Sequence, residues 1–164
     1  MDGGDIDGER MLQAIRAASE AAEAGEVPVG AVIYRDGRLI ARAHNQRETL
    51  QDPTAHAEIL AITQAAAAIG GWRLENCVMY ATLEPCAMCA GALVAARLPR
   101  LVYGAADPKA GACGSVLDVL GCEGLNHVVA VESGLLAEVC GRLLRDFFQD
   151  RRNKGRPSTG ASHV

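Results

Sequence analysis

Hydrophobic residues recur along the chain with two periods, one typical of helices and one typical of strands. Between residues 10 and 24 the apolar positions Met11, Ile15, Ala18 and Ala22 keep the spacing of one helical face. Gly25 follows, and glycine commonly ends a helix because it tolerates a left-handed backbone. The chain therefore opens with a predicted amphipathic helix.

The next two segments have the character of strands. Residues 27–34 and 38–43 are strand-like, and Asp36-Gly37 between them is a hairpin turn signal. The later predicted elements are a helix over 55–68, strands over 77–83, 100–103 and 127–131, a helix from Glu84 to Ala96, and a final amphipathic helix marked by Leu136, Val139, Leu143 and Phe147. Strands that alternate with helices predict a two-layer or three-layer α/β sandwich around one mixed sheet.

The domain organisation follows from length and from the ends of the chain. A chain of 164 residues fits one domain with one sizeable core. Residues 1–9 are rich in glycine and aspartate and predict a flexible N-terminus, and residues 153–164 predict a disordered basic and polar tail. The domain itself is expected over residues 10–152.

Composition narrows the class of protein. The net charge of −4 and the pI near 5.5 are not those of a general nucleic-acid binder, so any RNA contact must come from a local patch. Six cysteines are too few for a disulfide scaffold and favour a reducing compartment. No apolar run approaches the roughly 20 residues that span a bilayer. We therefore expect a cytoplasmic protein with no membrane partner.

Two short stretches carry the chemistry. The first contains His56-Ala57-Glu58, and the second contains Pro85-Cys86-Ala87-Met88-Cys89. One imidazole and two thiolates are three zinc ligands, which is the number that a catalytic zinc site uses when it leaves a position open for water. Glu58 suits a general base for that water. The simpler interpretation is a structural zinc knuckle beside a surface glutamate.

Helix boundaries place these residues near each other. Asp52 is a good N-cap and Pro53 suits the first helical position, so His56 is expected in the first turn of a helix. Glu84 and Pro85 are similarly expected to open the helix that carries Cys86 and Cys89. Two helix N-termini would then meet at one metal, and their dipoles would favour thiolates.

The pair of motifs resembles the known H-x-E…P-C-x-x-C signature of the zinc-dependent cytidine and purine deaminase superfamily. Further segments are similar to its tRNA adenosine deaminase branch: residues 26–31, which read Glu-Val-Pro-Val-Gly-Ala, Asn45, residues 52–59, 83–92 and 104–112. The resemblance runs from about residue 10 to residue 152. It implies a three-layer α/β/α fold with a central mixed five-stranded sheet.

The same resemblance implies a function. One Zn²⁺ per subunit, held by His56, Cys86 and Cys89 without an organic cofactor, would serve hydrolytic deamination of the wobble adenosine in a tRNA anticodon stem-loop. Glu58 would move the protons while water attacks C6 of adenine, and inosine and ammonia would form. The family pattern also implies a homodimer whose RNA site uses both subunits.

Substrate contacts are expected from two loops. Asn45 precedes the first metal motif, and an amide can both donate to and accept from a purine. Asp107 and Lys109 lie in a Gly-rich and Ala-rich loop, which by resemblance contacts the neighbouring nucleotides. Ala106 stands where many relatives carry a basic residue. Without the resemblance, Asn45 and Asp-Pro-Lys would be ordinary turn residues.

One RNA-like patch lies near the C-terminus. Its cationic members are Arg142, Arg145, Arg151, Arg152, Lys154 and Arg156. Phe147 and Phe148 lie among them, and aromatic rings stack on bases while arginines follow phosphates. We expect Phe147 in the core, whereas Phe148 could serve either the core or the RNA. A solvated helix face remains the alternative for the charges.

Two rival functions are also compatible with the sequence. A deaminase of guanine, cytosine or a free nucleoside would share the zinc chemistry but would not need the basic patch. A non-enzymatic, zinc-stabilised RNA-binding module would not need Glu58.

Overall fold

The structure is a computed structural model that describes residues 3–155. In this range the chain forms five helices and five strands. The helices are α1 (Gly3–Glu23), α2 (Arg47–Leu50), α3 (Ala57–Ile69), α4 (Ala87–Ala95) and α5 (Ala137–Gly155), and the strands are β1 (Gly30–Arg35), β2 (Arg38–His44), β3 (Cys77–Leu83), β4 (Arg100–Ala105) and β5 (Ala130–Glu132).

All five strands form one mixed sheet in the order β2-β1-β3-β4-β5. β1 pairs antiparallel with both β2 and β3, whereas β3, β4 and β5 run parallel. Parallel neighbours need a crossover, and α4 supplies the one between β3 and β4. The carboxyl ends of these parallel strands therefore lie at one edge of the sheet, where loops can build a site.

Side chains alternate between two cores on the two faces of the sheet. Met79, Ala81 and Leu101 point into a core shared with α3 and α4. Tyr80 and Val102 point into a second core shared with α1 and α5. Two helices on each face make three layers, which confirms the predicted α/β/α fold with a mixed five-stranded sheet.

The packing of α1 on β1 is close. A Cβ at Gly30 would collide with the backbone of Ala14 and Ala18, so only glycine permits this approach. Ala14 and Ala18 are themselves fully buried. Small residues on both elements therefore bring the first helix directly onto the sheet.

The N-terminus differs from the expectation of a flexible segment over residues 1–9. α1 begins at Gly3, so it includes most of that segment. Asp7 accepts a hydrogen bond from the Tyr80 hydroxyl at 2.6 Å and forms an ion pair with Arg100 at 2.7 Å. Arg100 also pairs with Glu132 of the edge strand at 2.8 Å. These contacts fix the start of the chain to the sheet, and the pattern of glycines and aspartates gave no sign of them.

The C-terminal helix is longer than the sequence predicts. α5 continues to Gly155, so residues 153–155 are helical rather than part of a disordered tail. The remainder of the expected tail, residues 156–164, lies outside the described residues. Across residues 3–155, no helix is both long enough and apolar enough to cross a bilayer.

Candidate metal and active site

His56 stands at the start of α3, but as its N-cap rather than within its first turn. The helix begins at Ala57, four residues later than a start at Pro53 would give. Asp52 is not the N-cap, because its carboxylate instead closes a local turn by accepting from the backbone N–H and hydroxyl of Thr54, both at 2.8 Å. The His56 backbone is extended, with φ −72° and ψ 150°, so the residue lies outside the regular helix.

Cys86 occupies the equivalent position on α4. It is the N-cap of a helix that begins at Ala87, so Glu84 and Pro85 precede the helix rather than open it. Cys89 is the third helical residue and is fully buried. In both motifs the first ligand is thus an N-cap residue, and the two helix N-termini face each other.

The structure brings three ligand atoms together. His56 Nδ1 lies 3.6 Å from Cys86 Sγ and 3.5 Å from Cys89 Sγ, and all three atoms lie within 4.8 Å of one another. Zinc bonds of about 2.3 Å to sulfur and about 2.0 Å to nitrogen, arranged tetrahedrally, require an S···N separation of about 3.5 Å. The donor set and its spacing therefore fit a tetrahedral zinc ion bound through Nδ1.

Glu58 is the second residue of α3 and points into the same place. Its side chain is buried, and Oε2 lies 3.4 Å from Cys89 Sγ. Burial raises the pKa of Glu58 above its ordinary value, because an apolar environment disfavours the charged form. A carboxyl group next to the ligand set, but in addition to three ligands, is placed to handle protons.

The pKa values of Cys86 and Cys89 shift in opposite directions, so the two side chains act as a thiolate and a thiol in contact. A hydrogen bond with Cys89, followed by one with His56, lowers the pKa of Cys86 to about 3. The same thiol–thiol contact and burial raise the pKa of Cys89. Metal binding requires both thiols as thiolates, so loading the site would release protons.

A cavity of about 210 Å³ opens beside these residues. Its wall combines the histidine, one cysteine and the glutamate with two loop segments. The lining residues are Val27, Val29, Asn45, Arg47, His56, Ala57, Glu58, Leu83, Glu84, Cys86, Asp107 and Ala110. A concave wall that combines apolar side chains with convergent polar groups is typical of a site for a small molecule.

One wall of the cavity carries Asn45. This residue is buried, its Nδ2 donates to Val27 O at 3.2 Å, and its Oδ1 accepts from Arg47 N at 3.1 Å. Glu26 fixes the same segment, because its buried carboxylate accepts from the N–H groups of Glu48 and Thr49, each at 3.0 Å. Desolvation would raise the pKa of Glu26, yet these bonds hold it below the ordinary value.

The opposite wall carries Asp107. Its Oδ1 accepts from the backbone N–H groups of Lys109 and Ala110, at 3.0 and 3.2 Å, and so shapes a turn against the cavity. Lys109 itself lies outside the cavity. Cys113 of the same loop is half-buried, and burial raises the pKa of its thiol to about 12, so it stays protonated at neutral pH.

A larger groove continues from the cavity. Its volume is about 840 Å³, and it shares Val27, Arg47, Leu83 and Asp107 with the inner cavity. The other lining residues are Ala105, Ala106, Pro108, Lys109, Gly141, Leu144, Arg145, Asp146, Phe148, Gln149 and Arg152. The structure thus places Lys109 and Phe148 in the groove, while Asn45 and Asp107 line the cavity next to Glu58.

Some arginines of the cationic patch contact other groups of the protein, and some line the groove. Arg142 and Arg145 pair with Glu138 on the exposed surface of α5, although Arg145 also lines the groove. Arg151 donates to Gly25 O at 2.9 Å and covers the Phe147 ring at 4.7 Å. Phe147 is half-buried under this guanidinium. Phe148 is 43% exposed, so it is available for stacking. Arg156 lies outside the described residues.

Known proteins resemble the whole fold and not only the motifs. The profile of the MafB19-like deaminases matches residues 7–152. A tRNA-specific adenosine deaminase of Bacillus subtilis is 51% identical over 144 residues, which cover 88% of this chain and 89% of that protein. One from Haemophilus influenzae is 45% identical over 151 residues, or 92% of this chain and 87% of that one.

Solved structures agree with the sequences. A structure described in connection with A-to-I editing by tRNA:A34 deaminases superposes with a TM-score of 0.81 at 45% sequence identity. The superposition covers 83% of this chain and 99% of the other. A guanine deaminase from Nitrosomonas europaea superposes with a TM-score of 0.75 at 26% identity, covering 85% and 83%. The fold, the ligand set and these matches define a deaminase of the MafB19-like class. Within that class, the chain belongs to the family of the tRNA-specific adenosine deaminases.

Three residues of the site were missed by the sequence reasoning. Arg47 lies where the cavity and the groove meet, and the buried carboxylates of Glu26 and Glu84 hold the two walls. The sequence did contain a signal for Glu26 and Glu84, namely their position. Each is a charged residue at the end of an apolar strand segment; Glu84 directly precedes a proline, and Glu26 is separated from one by a single residue. A charge in such a place is costly unless it is satisfied locally, and this could have marked both residues.

Proposed function

We propose that this protein is a zinc-dependent hydrolase that deaminates the wobble adenosine of a tRNA anticodon to inosine and releases ammonia. The observation that carries the proposal is the position of Glu58, which is buried 3.4 Å from a thiol of the His56, Cys86 and Cys89 set in a cavity of base-like size. The curated relatives that match over about nine-tenths of the chain are named for the same activity.

The residues divide the reaction between them. His56, Cys86 and Cys89 would hold one zinc ion per chain, which supplies Lewis acidity and lowers the pKa of a bound water toward 7. Glu58 accepts a proton from the attacking water and delivers it to the purine ring nitrogen as C6 becomes tetrahedral. It then assists departure of the amino group as ammonia, so that water and adenosine become inosine and ammonia.

The walls would select and orient the base. Asn45 keeps its amide fixed by two backbone contacts, so it is preorganised to meet a purine edge. Asp107 and Lys109 would contact the neighbouring nucleotides from the opposite loop. Ala106, which lines the same groove, offers no charge for a phosphate.

The groove would receive the rest of the anticodon loop. Phe148 presents an exposed ring, while Arg47, Lys109 and Arg152 bring positive charge to the same surface. Stacking and phosphate neutralisation are the two terms on which single-stranded RNA binding depends. Unstacking the target base costs least in a loop, so an anticodon is a favourable substrate.

We also propose a homodimer and a cytoplasmic location. Three exposed apolar residues are candidates for burial against a second copy of the chain. Met88 lies in α4, which carries Cys89, and Val116 and Leu117 directly follow the 104–115 loop. The six cysteines all lie within the described residues and form no disulfide there, and reduced cysteines persist in a reducing compartment.

Deamination of a free purine is the second candidate, because the guanine deaminase fold is similar at 26% identity. The groove distinguishes the two. A free base needs an enclosing cavity, whereas a base within RNA needs an opening through which the backbone enters and leaves, and the cavity here continues into a groove four times its volume.

Ammonia release from a panel of substrates tests the proposal. The zinc-loaded protein is incubated with an anticodon stem-loop that has adenosine at the wobble position, and separately with free adenosine, cytidine and guanine. We expect release from the stem-loop and very little from the others. Efficient release from guanine or cytidine, with the stem-loop left intact, would establish the small-molecule alternative, and no release from any substrate would favour the binding module.

A further inference from the structure

Glu84 is a buried carboxylate for which the proposed chemistry has no use. It is 2% exposed and lies two residues before Cys86, directly after β3. A carboxylate in such a place normally serves a metal, a cation or a set of hydrogen-bond donors. Its partners show which of these applies.

Four donors surround this carboxylate, and all come from the 104–115 loop. Oε1 accepts from Asp107 N at 3.1 Å and from the Ser115 hydroxyl. Oε2 accepts from Cys113 N at 3.0 Å and from Ser115 N at 3.2 Å. An ionised carboxylate has about four acceptor positions, so this loop alone saturates it.

Backbone contacts continue the attachment on both sides. Glu84 N donates to Ala105 O at 2.8 Å, and Ala112 N donates to Pro85 O at 2.8 Å. Gly111 forms a bridge with Cys86. A Cβ on Gly111 would collide with the Glu84 carboxylate and would lie 2.6 Å from Asp107 O. Only glycine at 111 allows the loop to close around the carboxylate.

The loop that is held in this way forms one wall of the cavity. Asp107 and Ala110 face the space beside Glu58, and Lys109 lines the adjoining groove. The segment that carries them is attached to the metal-binding segment by these backbone contacts and by the four hydrogen bonds that the Glu84 side chain accepts. Glu84 supplies all the side-chain hydrogen bonds among these contacts, so the position of the wall relative to the ligands depends on it.

We propose that Glu84 is a positioning residue for substrate binding, which acts by fixing the Asp107–Lys109 wall against the metal-binding helix. The inference rests on the proposed function for the identity of the substrate. Glu84 would not touch the reacting atoms. It would determine how well the cavity and the groove fit the target base and its neighbours.

The isosteric amide gives a sharp test. In Glu84→Gln one oxygen is replaced by an NH₂ group, which would face two N–H or O–H donors instead of accepting from them. About half of the attachment is lost while volume and backbone are kept. Glu75→Gln is the matched control, because Glu75 is an exposed glutamate at the opposite end of β3.

Three experiments are made on the zinc-loaded proteins: zinc content, hydrogen exchange of the Cys113 and Ser115 amides, and steady-state kinetics on the stem-loop, which give kcat and KM. In Glu84→Gln we expect one zinc per chain, amide exchange at least about tenfold faster, and KM raised about tenfold or more with a smaller change in kcat, because charged hydrogen bonds of this kind contribute substantially. Glu75→Gln should match the wild type in all three.

Ser115→Ala provides a second variant, which also covers the case in which Glu84→Gln fails to fold. It removes one of the four donors and leaves the Ser115 amide, so a smaller rise in KM in the same direction is expected. An unchanged KM in both variants, or a loss of zinc from Glu84→Gln, would overturn the inference. If the wild type instead deaminated a free purine, the proposed function would fail, while amide exchange would still decide whether Glu84 holds the loop.

Discussion

Glu58 Oε2 and Cys89 Sγ lie 3.4 Å apart although they belong to different helices and are 31 residues apart in the chain. The contact exists because α3 and α4 both begin at the same edge of the sheet. Each helix offers its first ligand from the N-cap position, His56 in one and Cys86 in the other. The arrangement places Glu58, the proposed general base, beside the three metal ligands. Because Glu58 is not itself a ligand, the proton-transfer group and the metal-binding residues can be mutated separately.

The first prediction concerns the metal content of the protein. We expect one zinc per chain by elemental analysis, because within residues 3–155 one set of three ligands lies at tetrahedral spacing. Cys86→Ala should lose the metal and several kcal/mol of unfolding free energy with it, on the order of the coupling seen at metal sites. Cys122→Ala, which changes an exposed cysteine, is the control and should keep full zinc. Zinc at two equivalents, or none in the wild type, would contradict the assignment.

The ion pair at the start of α1 predicts a pH dependence of stability. Hydrogen bonding and charge from Arg100, with a further hydrogen bond from Tyr80, lower the pKa of Asp7. A carboxyl whose pKa is lower in the folded state stabilises the fold fully above its unfolded pKa of about 3.9. This contribution is lost as pH falls through the folded pKa.

Asp7→Asn should therefore cost about 1–3 kcal/mol at pH 7 and a smaller amount at pH 2, as measured by urea unfolding at several pH values. Asp36→Asn, an exposed change in the turn between β1 and β2, where Asp and Asn are both favoured, should leave the curve nearly unaltered. Equal losses for Asp7→Asn at both pH values would show that packing, and not the carboxylate charge, holds α1.

The exposed ring of Phe148 lines the groove, so we expect its removal to change RNA affinity rather than the fold. Loss of base stacking in Phe148→Ala should weaken binding of the stem-loop by about 1–3 kcal/mol, or roughly 5- to 150-fold in Kd. Binding can be measured without turnover in a Glu58→Ala background. Val139→Ala changes a similarly exposed apolar residue of α5 outside the groove and should bind like its parent. Equal affinities for the two variants would return Phe148 to an ordinary surface residue.

Periodicity predicted most of the fold because its elements are strongly patterned. The near-continuous apolar runs within residues 77–83 and 100–103 mark strands that are buried on both faces, and the structure has β3 and β4 there. The start of α1 was not predictable in the same way. Its first turns contain glycine and aspartate, and the contact that orders them joins Asp7 to Arg100, 93 residues away.

The site shows the same division between local and distant information. The spacing of H-x-E and P-C-x-x-C identified the residues that meet, because each motif is local and the family pattern joins the two. The helix starts were placed too early, since Asp52 uses its side chain in a turn with Thr54. The roles of Glu26 and Glu84 depend on loops 22 to 31 residues away, which no local pattern specifies.

Formation of inosine at the wobble position of an anticodon stem-loop, by the wild type and by Glu58→Ala at matched zinc content, is the most direct test. Because the proposed role of Glu58 is to move protons and not to hold the metal, the variant should keep one zinc per chain and a folded structure. Its deamination rate should fall by about 10²-fold or more, as expected on removal of a general acid–base group. Inosine formation near the wild-type rate in the zinc-loaded variant would contradict the assignment of Glu58.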